Sequence, residues 1–158
     1  MTSLEHVREV FAALTSGWQG GFLEYVHPDV EWEVLGTHPL AGHYRDREAF
    51  VAGTSARLAP HLRAALALEV VDVFVSGDRA VVELIGEAEQ IDGQPYRNEY
   101  CWIVRFDSDG RIAQVRSYMD SVAVTRAMAA GGPSTAGGEG QTDGQQQAED
   151  QLEPGGLA

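Results

Sequence analysis

The sequence predicts an α+β fold, with helices on one face of a curved, largely antiparallel sheet. Helical periodicity is concentrated before residue 60, and strand alternation follows residue 66. Ser76-Gly77-Asp78, Asp92-Gly93 and Asp107-Ser108-Asp109-Gly110 separate four long strand-like runs, as hairpin turns would. The 158 residues, 44% of them hydrophobic, suffice for one ordinary domain and not for two.

The first helix is expected where Leu4, Val7, Val10, Phe11 and Leu14 fall on one face. Thr2 with Glu5, or Ser3 alone, can cap it, and Gly17 can end it. A short second helix is read from Phe22 to Val26, stopped at His27-Pro28. Val30 to Leu35 alternates as a strand, with Val30, Trp32 and Val34 on one side and Glu31 and Glu33 on the other. The loop GTHPLAG follows, then a third helix from Asp46 to Leu58, stopped by Pro60. The four strands of the second half are 66–75, 79–90, 95–106 and 111–119. A last short helix, 121–128, has Asp120 as its N-cap.

Alternation assigns the faces of these strands. Ala80, Val82, Leu84, Gly86 and Ala88 point inward, as do Asn98, Tyr100, Trp102, Val104 and Phe106. On the last strand Ala113, Val115, Ser117 and Met119 are placed inward, and Ile112, Gln114, Arg116, Tyr118 and Asp120 outward. Neither face of that strand is clean, and a one-residue slip would bring Arg116 or Tyr118 inward instead. The inner lining is thus apolar and aromatic with isolated polar groups, which suits a small hydrophobic ligand. Glu83, Glu87, Glu89 and Glu99, near Arg105 and Arg116, read as a solvated paired surface or part of a dimer contact.

Composition excludes several function classes. The 24 acidic against 11 basic residues give a net charge of −13, which opposes binding to nucleic acid or to an anionic membrane. All basic residues are arginine, which removes lysine Schiff-base chemistry, lysine-anchored pyridoxal phosphate and a Walker-type phosphate loop. The single cysteine, Cys101, precludes an internal disulfide and any multi-cysteine zinc site. The histidines have no metal-ligand spacing, so no metal is expected. The apolar runs are too short to span a membrane, and the N-terminus lacks the features of a signal peptide. A cytoplasmic protein is expected. Residues 129–158 are Gly- and Gln-rich, acidic and free of bases and aromatics. They read as a disordered tail behind a domain of residues 1–128, either a solubilising extension or an interaction segment.

Phe11-Ala12-Ala13-Leu14, Val30-Glu31-Trp32 leading into Gly36-Thr37-His38-Pro39-Leu40-Ala41-Gly42, and Asp109-Gly110-Arg111-Ile112 leading into Arg116-Ser117-Tyr118-Met119-Asp120 carry a resemblance over residues 4–128. In this pattern the chain resembles the nuclear transport factor 2-like superfamily, and within it the SnoaL-like polyketide cyclases. The resemblance implies a cone-shaped fold with helices on the concave face of the sheet, a pocket between them, and frequent homodimers. It does not imply one reaction. The three catalytic positions of ketosteroid isomerases, whose machinery is a worked example of carboxyl tuning, align near Val34, at Val10 or Phe11, and at Trp102. All are apolar here. The positions of limonene-epoxide-hydrolase-like enzymes fall on Trp32, Val34, Leu84, Gly86 and Ser117, and none keeps the required group. The acid/base aspartate of SnoaL-like cyclases also falls on Ser117, whose hydroxyl can orient a carbonyl but cannot act as a base near neutral pH.

The remaining catalytic candidates are His38, at the expected pocket mouth, and Tyr100. His38 reads equally well as a loop histidine bonded to backbone. Trp32, Asn98, Trp102, Ser117 and Met119 are the candidate substrate-binding residues, although tryptophans are more often plain core and Asn98 reads as a satisfied strand residue. Glu99 enters only if its strand faces the other way. Two functions follow. One is a cofactor-independent cyclase, isomerase or dehydratase acting by acid/base chemistry on a hydrophobic, polyketide-like carbonyl compound. The other is a non-catalytic binder of an apolar ligand, or a dimeric scaffold.

Overall fold

The computed structural model describes residues 1–18 and 21–130. Its elements are α1 (Leu4–Ala12), β1 (Val26–Val34), β2 (Gly42–Tyr44), α2 (Arg47–Gly53), α3 (Ser55–Leu58), β3 (Ala67–Ser76), β4 (Arg79–Glu89), β5 (Pro95–Phe106), β6 (Ile112–Met119) and α4 (Ser121–Ala129). The strands form one sheet in the order β2-β1-β6-β5-β4-β3. The run from β3 to β6 is an antiparallel meander, as the turns predict. β1 pairs parallel with β6, which makes the sheet mixed. No described helix is long and apolar enough to cross a membrane. The tail expected at 129–158 starts with Ala129 still in α4, and 131–158 lie outside the described residues.

α1 starts at Ser3, whose hydroxyl accepts from the His6 amide. Val7, Val10, Phe11 and Leu14 are buried as expected, whereas Leu4 is exposed. Gly17, at φ 81°, ends the 3-10 turn that follows. The expected second helix is only a 3-10 turn, Phe22–Tyr25, and β1 already begins at Val26. Pro28 does not stop the strand, because it falls where the pairing with β6 shifts between Val26 and Glu31, a stretch that asks no ladder bond of it. The expected helix over 46–58 is two helices. Thr54 breaks it at φ −125°, ψ −89°, with its hydroxyl donating to the Phe50 carbonyl at 2.6 Å. Asp46 caps the first of the two through the Ala49 amide.

The core lies between the helices and one sheet face. Val30, Trp32 and Val34 of β1, Ala80, Val82 and Leu84 of β4, and Tyr100, Trp102, Val104 and Phe106 of β5 all point into it. The last strand faces as predicted over its second half: Val115 and Ser117 are buried, Arg116 and Tyr118 exposed. Ile112, expected outside, is fully buried. Arg105 pairs with Gln114 but Phe106 with Ile112, so Ala113 is an extra residue that turns Ile112 back inward.

Candidate functional site

Strand β5 builds the site. Tyr96, Asn98, Tyr100 and Trp102 are successive inward positions of an uninterrupted ladder with β4. Opposite them stand Trp32 and Val34 of β1, Phe50 of α2, Leu58 of α3, Leu68 of β3 and Met119 of β6. With Trp18, Leu40, Thr54, Ser55, Leu66 and Val124, these residues and Tyr96, Tyr100 and Trp102 of β5 line a free volume of about 60 Å³. An outer cleft of about 490 Å³ adjoins it, with Trp18, Ser55, Leu58 and Leu66 common to both. The cleft alone is of the size that ligand sites usually have, and the inner cavity is far below it. Aromatic rings take up most of the interior: Trp32 stacks on Phe50 at 3.7 Å, and Trp18 lies over Trp102 at 5.7 Å. Gly86 leaves room for this arrangement. A β-carbon there would lie 2.9 Å from both the Tyr100 ring and Leu68.

The polar part of the lining is a hydrogen-bonded tyrosine pair. The Tyr96 and Tyr100 hydroxyls are 2.8 Å apart. Asn98 donates to the Tyr96 oxygen at 3.2 Å, and its second amide hydrogen goes to the Asp120 carbonyl at 3.1 Å. Its oxygen accepts from the Asp120 amide at 2.9 Å. Asn98 is therefore satisfied and fixes Tyr96 as an acceptor. The two hydroxyls carry two protons, and their mutual bond uses one. When Tyr96 donates to Tyr100, the Tyr100 proton is left for a ligand. Burial pushes the Tyr100 hydroxyl well above its ordinary value, and the neighbouring Tyr96 adds to the effect. Burial raises Tyr96 as well, so both are neutral donors at physiological pH.

Of the predicted residues, Trp32, Tyr100, Trp102 and Met119 meet in the lining, and His38, Asn98 and Ser117 stand outside it. Ser117 is buried, accepting from the Trp32 indole at 3.2 Å and donating to the Glu33 carbonyl at 3.3 Å. Glu99 is exposed, so of the two readings of β5 the one with Tyr100 inward is observed. Tyr96 was not among the residues predicted from sequence, although it shares the face of Asn98 and Tyr100 two residues away. Nor were Trp18, Leu40 and Phe50, which come from a turn, a loop and a short helix.

His38 is buried within its own loop. Its Nε2 lies 3.2 Å from the Leu35 carbonyl and its Nδ1 accepts from the Leu40 amide at 3.2 Å. Gly36 makes this possible, at φ 123° and with no room for a β-carbon against Ser121 and His38. The pair of bonds sets the Nε2–H tautomer and places Leu40 in the cavity wall. Burial lowers the His38 pKa. Its folded-state contribution is therefore complete above the unfolded value of about 6.5 and is lost as pH falls through the lowered folded value. His38→Ala is expected to cost about 1–2 kcal/mol near neutral pH, a gap that narrows in mild acid. Denaturant titrations of both proteins over that pH range check this; a gap that widens on acidification would contradict it.

Among the described residues no Asp, Glu or His lines the inner cavity. Thr54 and Ser55 spend their hydroxyls on the Phe50 and Val51 carbonyls. Among the described residues no three His, Cys, Asp or Glu side chains are grouped to hold a metal. What the lining offers is hydrogen-bond donors in an apolar setting. Such donors can polarise a carbonyl, and the walls can exclude water and hold one conformation of a flexible ligand.

Comparison with known proteins gives the family and the fold. The family model described as "SnoaL-like domain" matches residues 7–115. The dimerizing cyclase tstC of Talaromyces stipitatus is 30% identical over 108 residues, covering 66% of this chain and 48% of that protein. The chain spans about half the length of the curated relatives it matches. An NTF2-like protein of Burkholderia thailandensis superposes with a TM-score of 0.67 at 20% identity, covering 78% of this chain and 95% of the other. TerC, co-crystallized with polyporic acid, superposes with a TM-score of 0.64 at 22% identity over 80% and 98% of the two chains. These structural likenesses establish the NTF2-like fold.

Proposed function

Since the chain belongs to the SnoaL-like domain family, we propose that it is a cofactor-independent cyclase or isomerase acting on a hydrophobic carbonyl compound. The observation that carries this reading is the spare hydroxyl proton of the Tyr96–Tyr100 pair, held in an otherwise apolar cavity. The body of the ligand occupies the outer cleft and its carbonyl end reaches the inner cavity past Trp18 and Leu66. Tyr100 donates to the carbonyl oxygen as negative charge gathers on it, in the arrangement where Tyr96 donates to Tyr100, and Asn98 holds the Tyr96 oxygen in place from the other side. Trp32, Trp102 and Met119 are walls that select the reacting conformer. Ser117 orients Trp32, and His38 holds the loop that presents Leu40. Acid/base work near neutral pH has no candidate among the lining residues, so the chemistry favoured is a ring closure or bond migration driven by carbonyl polarisation.

The same absence of a titratable lining group favours a second reading, a non-catalytic binder of the same ligand class. Native mass spectrometry of gently purified protein, then thermal shift against polycyclic and polyketide-like carbonyl compounds, tests both. A ligand at a hundredfold excess over its dissociation constant adds about 2.7 kcal/mol, which raises Tm by several degrees. A shift followed by turnover of that compound supports the enzyme. A shift without turnover supports the binder, and no shift across the panel counts against the pocket.

A homodimer is part of the proposal. The sheet face away from the helices carries an apolar row in register: Phe74 of β3, Val81 of β4 and Ile103 of β5. Phe74 is 58% exposed and the nearby Val71 56%. A second copy of the chain would cover this row, with the flanking Arg116–Glu33 pair at its edge. Phe74→Asp is expected to convert a dimer to a monomer in sedimentation velocity at micromolar concentration. A wild-type chain that sediments as a monomer would remove the dimer from the proposal.

A further inference from the structure

Trp102 is 2% exposed, lines the inner cavity, and has a buried indole Nε1–H with no hydrogen-bond partner. Among the described residues it is the one buried side-chain polar atom left so. The neighbouring indole shows the contrast, because Trp32 Nε1 bonds Ser117. An orphaned buried donor is costly, and a core position that needed only bulk would be filled as well by phenylalanine. Trp102 follows Tyr100 by two residues on the same face of β5, so both side chains line one cavity.

We infer that the Trp102 indole N–H is a ligand-positioning donor, reserved for an oxygen acceptor that an apolar ligand brings into the inner cavity beside the Tyr100 hydroxyl. The site then selects by composition as well as shape. A hydrocarbon of the right size leaves the indole unpaired. A ketone, quinone or lactone oxygen satisfies it, and an alcohol does so only through its oxygen lone pairs. Discrimination of this kind is large when a buried donor is otherwise stranded. The inference rests on the pocket proposed above and names what that pocket requires of its ligand.

Acetophenone and ethylbenzene are suitable probes, because they differ mainly in carbonyl against methylene and share the ring that would sit in the outer cleft. The full chain, labelled with nitrogen-15, is titrated with each while the three indole N–H resonances are followed, assigned by through-space contacts so that no variant is needed. The ketone is expected to bind on the order of tenfold more tightly than the hydrocarbon. It should move the Trp102 resonance downfield and leave Trp32 in place. Trp102→Phe should abolish most of that preference, whereas Tyr100→Phe should leave part of it. Equal binding of both probes, with Trp102 unmoved, would overturn the inference and leave the pocket standing. So would a Trp102 resonance fixed far upfield with and without ketone, the mark of an N–H seated on the Trp32 ring, whose plane stands at 83° and 5.1 Å. If neither probe perturbs any lining residue, the inference and the pocket fall together.

Discussion

Asn98→Leu is expected to lower the unfolding free energy by about 3 kcal/mol, read as a reduced denaturant midpoint with little change in slope. The leucine is close in size, so the loss comes from polar groups and not from a cavity. Asn98 is 2% exposed and makes three bonds that no neighbour can replace. Two of them hold the Asp120 amide and carbonyl, at the junction where β6 ends and α4 begins. Asp120 in turn caps α4 through the Val122 and Ala123 amides at 2.8 and 3.3 Å. Without Asn98 the cap residue is free to rotate, and α4 loses the anchor that keeps Val124 against the cavity. Loss of the third leaves the Tyr96 oxygen without the amide that holds it in place beside Tyr100. A midpoint shift worth less than about 0.5 kcal/mol would mean that water replaces Asn98 at this junction.

The same residues show what a sequence can disclose. Strand β5 was legible because period-two alternation persists over its whole length, and every inward position assigned from Asn98 to Phe106 is buried. Its neighbour β4 was legible for the same reason. The start of β1 was not, because His27-Pro28 is a local stop signal that the shifted pairing with β6 overrides. Nor was the parallel pairing of β1 with β6, since partners so distant in sequence leave no turn between them. Ile112 was misassigned because one inserted residue, Ala113, inverts the alternation, and a bulge has no marker in residue type there. The site divides along the same line. Its walls on β1, β5 and β6 follow from periodicity. Leu40, Phe50 and Trp18 come from loops and short helices, whose direction depends on bonds such as that between His38 and Leu40.

Once a substrate is in hand, Tyr100→Phe is expected to lower kcat by about 10²- to 10³-fold, the usual effect of losing a buried donor to a developing oxyanion. The cost in stability should be no more than about 1.5 kcal/mol, because Tyr96 keeps its bond from Asn98 and only the bond between the hydroxyls is lost. Tyr96→Phe reverses the balance. It strands an amide hydrogen of buried Asn98, so it should harm stability more, and it leaves the Tyr100 hydroxyl in place to act on the ligand. The pH profile separates donor catalysis from acid/base catalysis. The hydroxyl proton of Tyr100 stays on up to strongly alkaline pH, since burial holds its pKa well above 10. Among the described residues no lining group titrates near neutrality, so kcat should be flat across the neutral range in the wild type and equally flat, at a lower level, in Tyr100→Phe. A bell-shaped wild-type profile would instead require a titrating group at the reacting atoms, and it would move the chemistry out of the tyrosine cavity. Binding without turnover, with affinity unchanged in Tyr100→Phe, would leave the cavity as a hydrophobic recess and assign the chain to the binders.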